Sequence, residues 1–139
     1  MSPVATVSAP SDATLKPQGC TYLKLRQLTR SVARLYDEQL ARCGLKGTQY
    51  SLLSAIVRLG PLRAVELAHT MHMSASTLSR NLRPLIDAGW VEQASGPDAR
   101  SWFIRATAAG QAKRSDAQKR WRVAQESINQ TLGVDQVVA

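Results

Sequence analysis

Residues 63–106 read RAVELAHTMHMSASTLSRNLRPLIDAGWVEQASGPDARSWFIRA. Val65, Leu67, Ala68 and Met71 recur at helical spacing, which predicts a short helix from about Arg63 to Met71. His72-Met73 makes a turn, Ser74 is a capping residue, and a second helix runs through about Ala88 to a closing Gly89. Trp90 to Ala94 then alternates like a strand, residues 95–100 are Gly/Pro/Asp turn chemistry, and Ser101 to Ala106 is a second strand. Two short helices across a tight turn, followed by a β-hairpin, is the order of a winged helix-turn-helix. Ala68 is small because the second helix crosses near it, and Met73 and Leu78 fill the angle between the helices. The second helix starts with Ser74, Ser76, Thr77, Ser79 and Arg80, with Arg83 one turn further on. In such a motif this polar end enters the major groove. Short hydroxyls meet bases or phosphates without clashing, and arginine can pair with guanine O6 and N7.

The hairpin adds a second contact. Arg100 at its tip suits the negative potential of a narrow minor groove, while Asp98 orients that arginine or caps the turn. The alternative is an ordinary surface hairpin carrying a weak ion pair. Pro84, about ten residues into the second helix, cannot donate to the carbonyl of Arg80. A kink or break near Asn81 to Pro84 is expected, or an early end of the helix at the proline.

Outside this stretch, residues 1–19 carry Pro3, Pro10 and Pro17 among Ser, Ala and Thr and read as a flexible tail. Leu25, Leu28, Val32, Leu35 and Leu40 predict a long helix over about 20–43, ended by Gly44. Arg26, Arg30 and Arg34 form a second stripe on it, either a solvated face or a flank that meets phosphates. Thr48 is expected to cap a helix from Gln49 to Leu59, with Tyr50, Leu53, Ile56 and Val57 inward and Gly60-Pro61 stopping it. Thr107 caps the last long helix, about Ala108 to Thr131, with Trp121, Ala124 and Ile128 on one stripe.

The chain has 139 residues, enough for one domain with a real core. The expected division is a tail at 1–19 and a single domain at 20–139. Within it, 20–45 and 108–139 hold the long helices and 48–107 is the winged helix-turn-helix lobe. Eighteen Lys+Arg against ten Asp+Glu give a net charge of +8, which favours an anionic partner. Arginine outnumbers lysine 13 to 5, which favours phosphate or base edges. By region the charge is +5 over 20–59, only +1 over 60–110 and +2 over 111–139. Total charge therefore suggests nucleic acid but does not locate the site. No apolar run approaches the roughly 18 residues of a membrane helix, and residues 1–19 lack a signal-peptide pattern, so a cytoplasmic protein with no membrane partner is expected.

The ordered set of motifs resembles the MarR family of bacterial transcription regulators from about Cys20 to Gly133. The resemblance rests on Gly44-Leu45, Gln49-Tyr50, Glu66-Leu67-Ala68 and the run Ser76-Thr77-Leu78-Ser79-Arg80-Asn81-Leu82. It continues through Gly89-Trp90-Val91, Asp98-x-Arg100 and Thr107-x-x-Gly110. It implies a mainly α fold with a small β-hairpin wing, dimerised through the first and last long helices. It implies a homodimer on a pseudo-palindromic operator of double-stranded DNA. It also implies repression relieved by a small aromatic or phenolic effector or by thiol oxidation. The chain departs from the family where its final helix only begins after Gly133, and at Ala106, where leucine is usual. Either the dimer interface is reduced or the sequence has been cut short.

Cys20, near the start of the first helix with Lys16 and Lys24 close in sequence, is the redox candidate, and Cys43 reads as an apolar filler. Two cysteines make no disulfide framework, and a straight helix between them would hold them roughly 35 Å apart. Tyr50 and Trp121 would face the junction of the two lobes, as core or as ligand contacts. His69 and His72 are spaced to hold a metal but lack further ligands, so no metal and no cofactor is expected. No catalytic arrangement of Ser, His, Asp or paired carboxylates stands out, so no enzyme is expected. The rival reading is a winged-helix protein-interaction module without sequence-specific DNA binding.

Overall fold

A computed structural model describes residues 19–96 and 102–133. The elements are α1 (Thr21–Leu40), α2 (Gly47–Leu59), β1 (Leu62–Arg63), α3 (Ala64–Thr70), α4 (Ala75–Asp87), β2 (Val91–Ser95), β3 (Trp102–Ala106) and α5 (Ala108–Leu132). A 3-10 turn, Ala41–Cys43, follows α1 and ends at Gly44, whose φ of 73° is the left-handed conformation that glycine adopts without strain.

The hairpin is part of a three-stranded antiparallel sheet in the order β1-β3-β2. The third strand, β1, is only two residues long, with Leu62 opposite Ile104 and Arg63 opposite Phe103. Its brevity hid it from pattern reading. Val91 pairs with Ala106 and Ser95 with Trp102, so Val91 and Ile104 share the face turned to the helices and both are buried. Of the aromatic pair on β3, Trp102 is exposed and Phe103 half-buried. The Arg63 guanidinium lies 5.7 Å from the Phe103 ring centroid.

Two expectations fail locally. The start of α2 is Gly47, not Gln49, and Thr48 does not cap it. Gln49 Oε1 accepts the Lys46 N–H at 2.9 Å, and Asp37 Oδ1 on α1 accepts the Gly47 N–H at 2.6 Å. Gln49 from the first turn and Asp37 from α1 satisfy this end, so no Thr48 cap is needed. Pro84 neither breaks nor ends α4, which continues to Asp87. Leu82 and Leu85 are buried on either side of it, the proline itself is exposed, and its carbonyl still accepts the Ala88 N–H at 3.0 Å. One missing backbone bond is outweighed by the packing of its neighbours.

The main core joins Leu52, Leu53 and Ile56 of α2 to Leu67, Leu78, Leu82, Leu85, Val91 and Ile104. A smaller core joins Leu40, Leu45 and Tyr50 to Ala117 of α5. Trp90 packs against both. The Lys113 ammonium donates to the Cys43 carbonyl and lies 5.0 Å from the Trp90 ring centroid. This ties α5 to the hinge between the lobes.

Most of the expected apolar stripe of α1 is not buried within this chain. Tyr22, Leu23, Leu25, Leu28 and Leu35 are exposed, as are Val123 and Leu132 on α5. Leu25, Leu28, Val32 and Leu35 are spaced three, four and three apart, the spacing of a helix seam. Among the described residues no helix is long and apolar enough to cross a membrane.

Candidate nucleic-acid interface

Helix α4 is held at its start by Ser74. Its Oγ accepts the Thr77 N–H at 3.2 Å, donates to Thr77 Oγ1 at 2.9 Å and lies 3.2 Å from Ser76 Oγ. A cap of this kind stabilises a helix by about 1 kcal/mol. Ser74 and Thr77 therefore have a local structural duty besides any contact with DNA. In the preceding turn His72 has φ 53°, and Met73 N–H donates to the Ala68 carbonyl at 2.9 Å. This fixes where α4 leaves α3.

From that cap the helix turns Leu78, Leu82 and Leu85 into the core. Ser76, Ser79, Arg80 and Arg83 fall on the opposite, exposed side. These spacings of three and four place four of the expected contact residues on one face. Arg83 pairs with Asp87 at 3.3 Å, with both side chains mostly exposed, so the pair is weak and can open for a phosphate. Arg80 has no ion-pair partner among the described residues. Asp98 and Arg100 lie outside the described residues. At the base of the wing Arg105 and Glu92 pair across β2 and β3 at 2.6 Å.

The wing is aligned by the start of α5. Thr107 Oγ1 accepts the Gly110 N–H at 3.0 Å and donates to the Gly89 carbonyl at 2.6 Å, while Thr107 N–H donates to the Trp90 carbonyl at 3.0 Å. The Thr107-x-x-Gly110 spacing thus joins the end of α4, the start of the wing and α5.

A cleft of about 690 Å³ separates α1 and α5 from the turn before α4. Tyr50 and Trp121 both line it, with ring centroids 6.1 Å apart. Sequence reasoning missed Tyr36, whose ring lies 6.5 Å from Trp121 and whose hydroxyl donates to Gln125 Oε1 at 2.5 Å. That pairing spans 89 residues of chain, and no local signal announces it. Burial raises the Tyr36 phenol above its ordinary 10.0, which keeps it a donor. The unfolded chain then ionises first as the pH passes that value. The stability contribution is full below it and is lost as pH rises toward the folded value. Tyr36→Phe should flatten the alkaline loss of stability, measured by urea unfolding at neutral and alkaline pH; an unchanged pH slope contradicts the assignment.

Cys20 is exposed at the N-terminus of α1, and Cys43 is half-buried against the smaller core. The 20 residues of α1 stand between them, about 30 Å of helix. His72 is exposed and His69 belongs to α3, and no group of three or more metal-binding side chains occurs among the described residues.

A family model described as MarR family matches residues 44–101. The transcriptional regulator MosR of M. tuberculosis, solved in complex with DNA, is 32% identical; the match covers 83% of this chain and 84% of that one, with a TM-score of 0.74. A mutant MarR from E. coli complexed with operator DNA has the same fold at 23% identity, covering 84% and 85% of the two chains, with a TM-score of 0.76. An uncharacterized HTH-type transcriptional regulator of Bacillus subtilis, YwoH, is 29% identical over 90 residues. That match spans 65% of this chain and 66%, just under two thirds, of the relative's length.

Proposed function

The chain belongs to the MarR family of transcriptional regulators, and from that premise we propose that it is a sequence-specific DNA-binding repressor acting as a homodimer. The observation that carries the reading is the exposed polar face of α4, Ser76, Ser79, Arg80 and Arg83, standing on a helix whose other side is locked in the core. The DNA-bound MosR and MarR structures support the same use of the fold. In this reading Ser76, Thr77, Ser79, Arg80 and Arg83 grip the major groove, and Ser74 sets the helix end. Arg100 enters the minor groove, and Asp98 orients it. The apolar face of α1 meets its copy, which sets two reader helices on a pseudo-palindromic operator.

A gel shift on the upstream region of its own gene tests this. Specific binding should exceed binding to random duplex by roughly a thousandfold at physiological salt. Arg80→Ala should relax base preference at one position per half-site, at a cost of about 1–3 kcal/mol. Equal affinity for random and upstream duplex would instead favour a protein-interaction module.

Release from DNA has two candidate signals. The cleft walled by Tyr36, Tyr50 and Trp121 suits a small aromatic or phenolic effector, stacked on the rings and bonded at the Tyr36–Gln125 pair. The exposed Cys20 is the alternative, through thiol oxidation. Cys20→Ser should abolish any peroxide effect on operator binding; a wild-type protein indifferent to peroxide removes the thiol signal.

A further inference from the structure

Met73 lines two clefts at once. One is the cleft of about 690 Å³ against α1 and α5; the other, about 380 Å³, lies between α3, α4 and β2. Its side chain is half-buried against the main core, and its Sδ accepts a bond from Asn81 Nδ2 on the reader helix at 3.7 Å. The next residue is Ser74, which caps that helix. Met71 lines only the larger cleft. Thus one methionine stands between two clefts, and its thioether is bonded directly to α4.

We propose that Met73 is an oxidation site, at which a two-electron oxidant such as hypochlorous acid weakens DNA binding. The inference rests on the DNA-binding reading above, but needs neither cysteine. The thioether and hypochlorous acid give the sulfoxide, a proton and chloride; sulfur loses two electrons and the chlorine gains them. The new oxygen takes one of two sulfur lone pairs. On the one facing Asn81 it crowds Nδ2, because the sulfur and nitrogen are only 3.7 Å apart. On the other it brings a strong dipole to a side chain that packs against the main core. In both cases the turn beside Ser74 must shift, and the start of α4 shifts with it. Met is otherwise an adaptable filler, which a sulfoxide is not.

The chain has three methionines, Met1, Met71 and Met73, so the test is clean. A Cys20→Ser/Cys43→Ser chain is treated with limiting hypochlorous acid. Sulfoxide at each methionine is mapped by mass spectrometry, and operator affinity is read by fluorescence anisotropy. Affinity should fall by about tenfold in step with Met73 sulfoxide, and return after treatment with methionine sulfoxide reductases of both stereospecificities. Met73→Leu should keep its affinity through the treatment, Met71→Leu should still lose it, and Met73→Gln should bind weakly without oxidant. The idea is overturned by Met73 sulfoxide with undiminished affinity, or by a Met73→Leu chain that loses affinity like its parent. If Met73→Leu does not fold, an untreated Met73→Gln chain that folds and binds like its parent overturns it. If the untreated chain does not bind its operator, the DNA-binding reading fails first. Met73 sulfoxide formation and its effect on melting are still read separately.

Discussion

Gly110→Ala is expected to lower stability by about 3 kcal/mol, and to do so without touching any residue that meets DNA. A Cβ built on Gly110 would overlap the Trp90 carbonyl oxygen and come within 2.8 Å of its carbon and 3.1 Å of its Cα. These are backbone atoms, so no side chain can swing aside. That carbonyl also accepts the Thr107 N–H, so moving it pulls on the cap of α5 and on the start of β2 together. Trp90 packs against both cores, so the strain reaches both lobes. Urea unfolding measures the loss directly. A variant as stable as the parent would mean that α5 can slide away from Trp90, and that the close approach is not needed.

Leu28→Asp should separate the proposed dimer and reduce operator affinity by about a hundredfold or more. Leu28 is 49% exposed in the single chain, in the same seam as Leu25 and Leu35. If two copies pack there, a two-fold axis brings the new carboxylate into the interface twice, at the cost of taking two charges out of water. A monomer would offer one reader helix to a two-part operator and lose the second contact. Sedimentation of the parent and the variant reads the oligomer, and anisotropy on the operator reads the binding. A variant that stays dimeric shows that the seam serves another purpose. A monomeric variant with full affinity shows that one reader helix is sufficient.

What could be read before the fold was seen was short-range chemistry. Ser74 and Thr107 each accept an N–H three residues on, so the sequence alone locates those caps. The leucines at 78, 82 and 85 carry their own burial pattern. The exposed set Ser76, Ser79, Arg80 and Arg83 follows from that same periodicity. Where the reading failed, contacts outside the local pattern decided. Asp37 and Gln49 hold the start of α2 in place of Thr48, and packing about Leu82 and Leu85 carries α4 through Pro84. Two residues of β1 make a strand only because β3 lies beside them.

The charge shows the same division. A net +8 points to an anionic partner, but it is spread mostly over the long helices and says little about where DNA would lie. Order of motifs, helical period and cap chemistry, all set within a few residues, specify a winged helix-turn-helix with a polar reader face. Long-range closure of the chain sets the rest. It brings Tyr36 to Gln125, stands Met73 between two clefts, presses Gly110 onto Trp90 and leaves the α1 seam bare. Each of those contacts joins segments that only packing brings together, and residue type carries no record of a neighbour that distant.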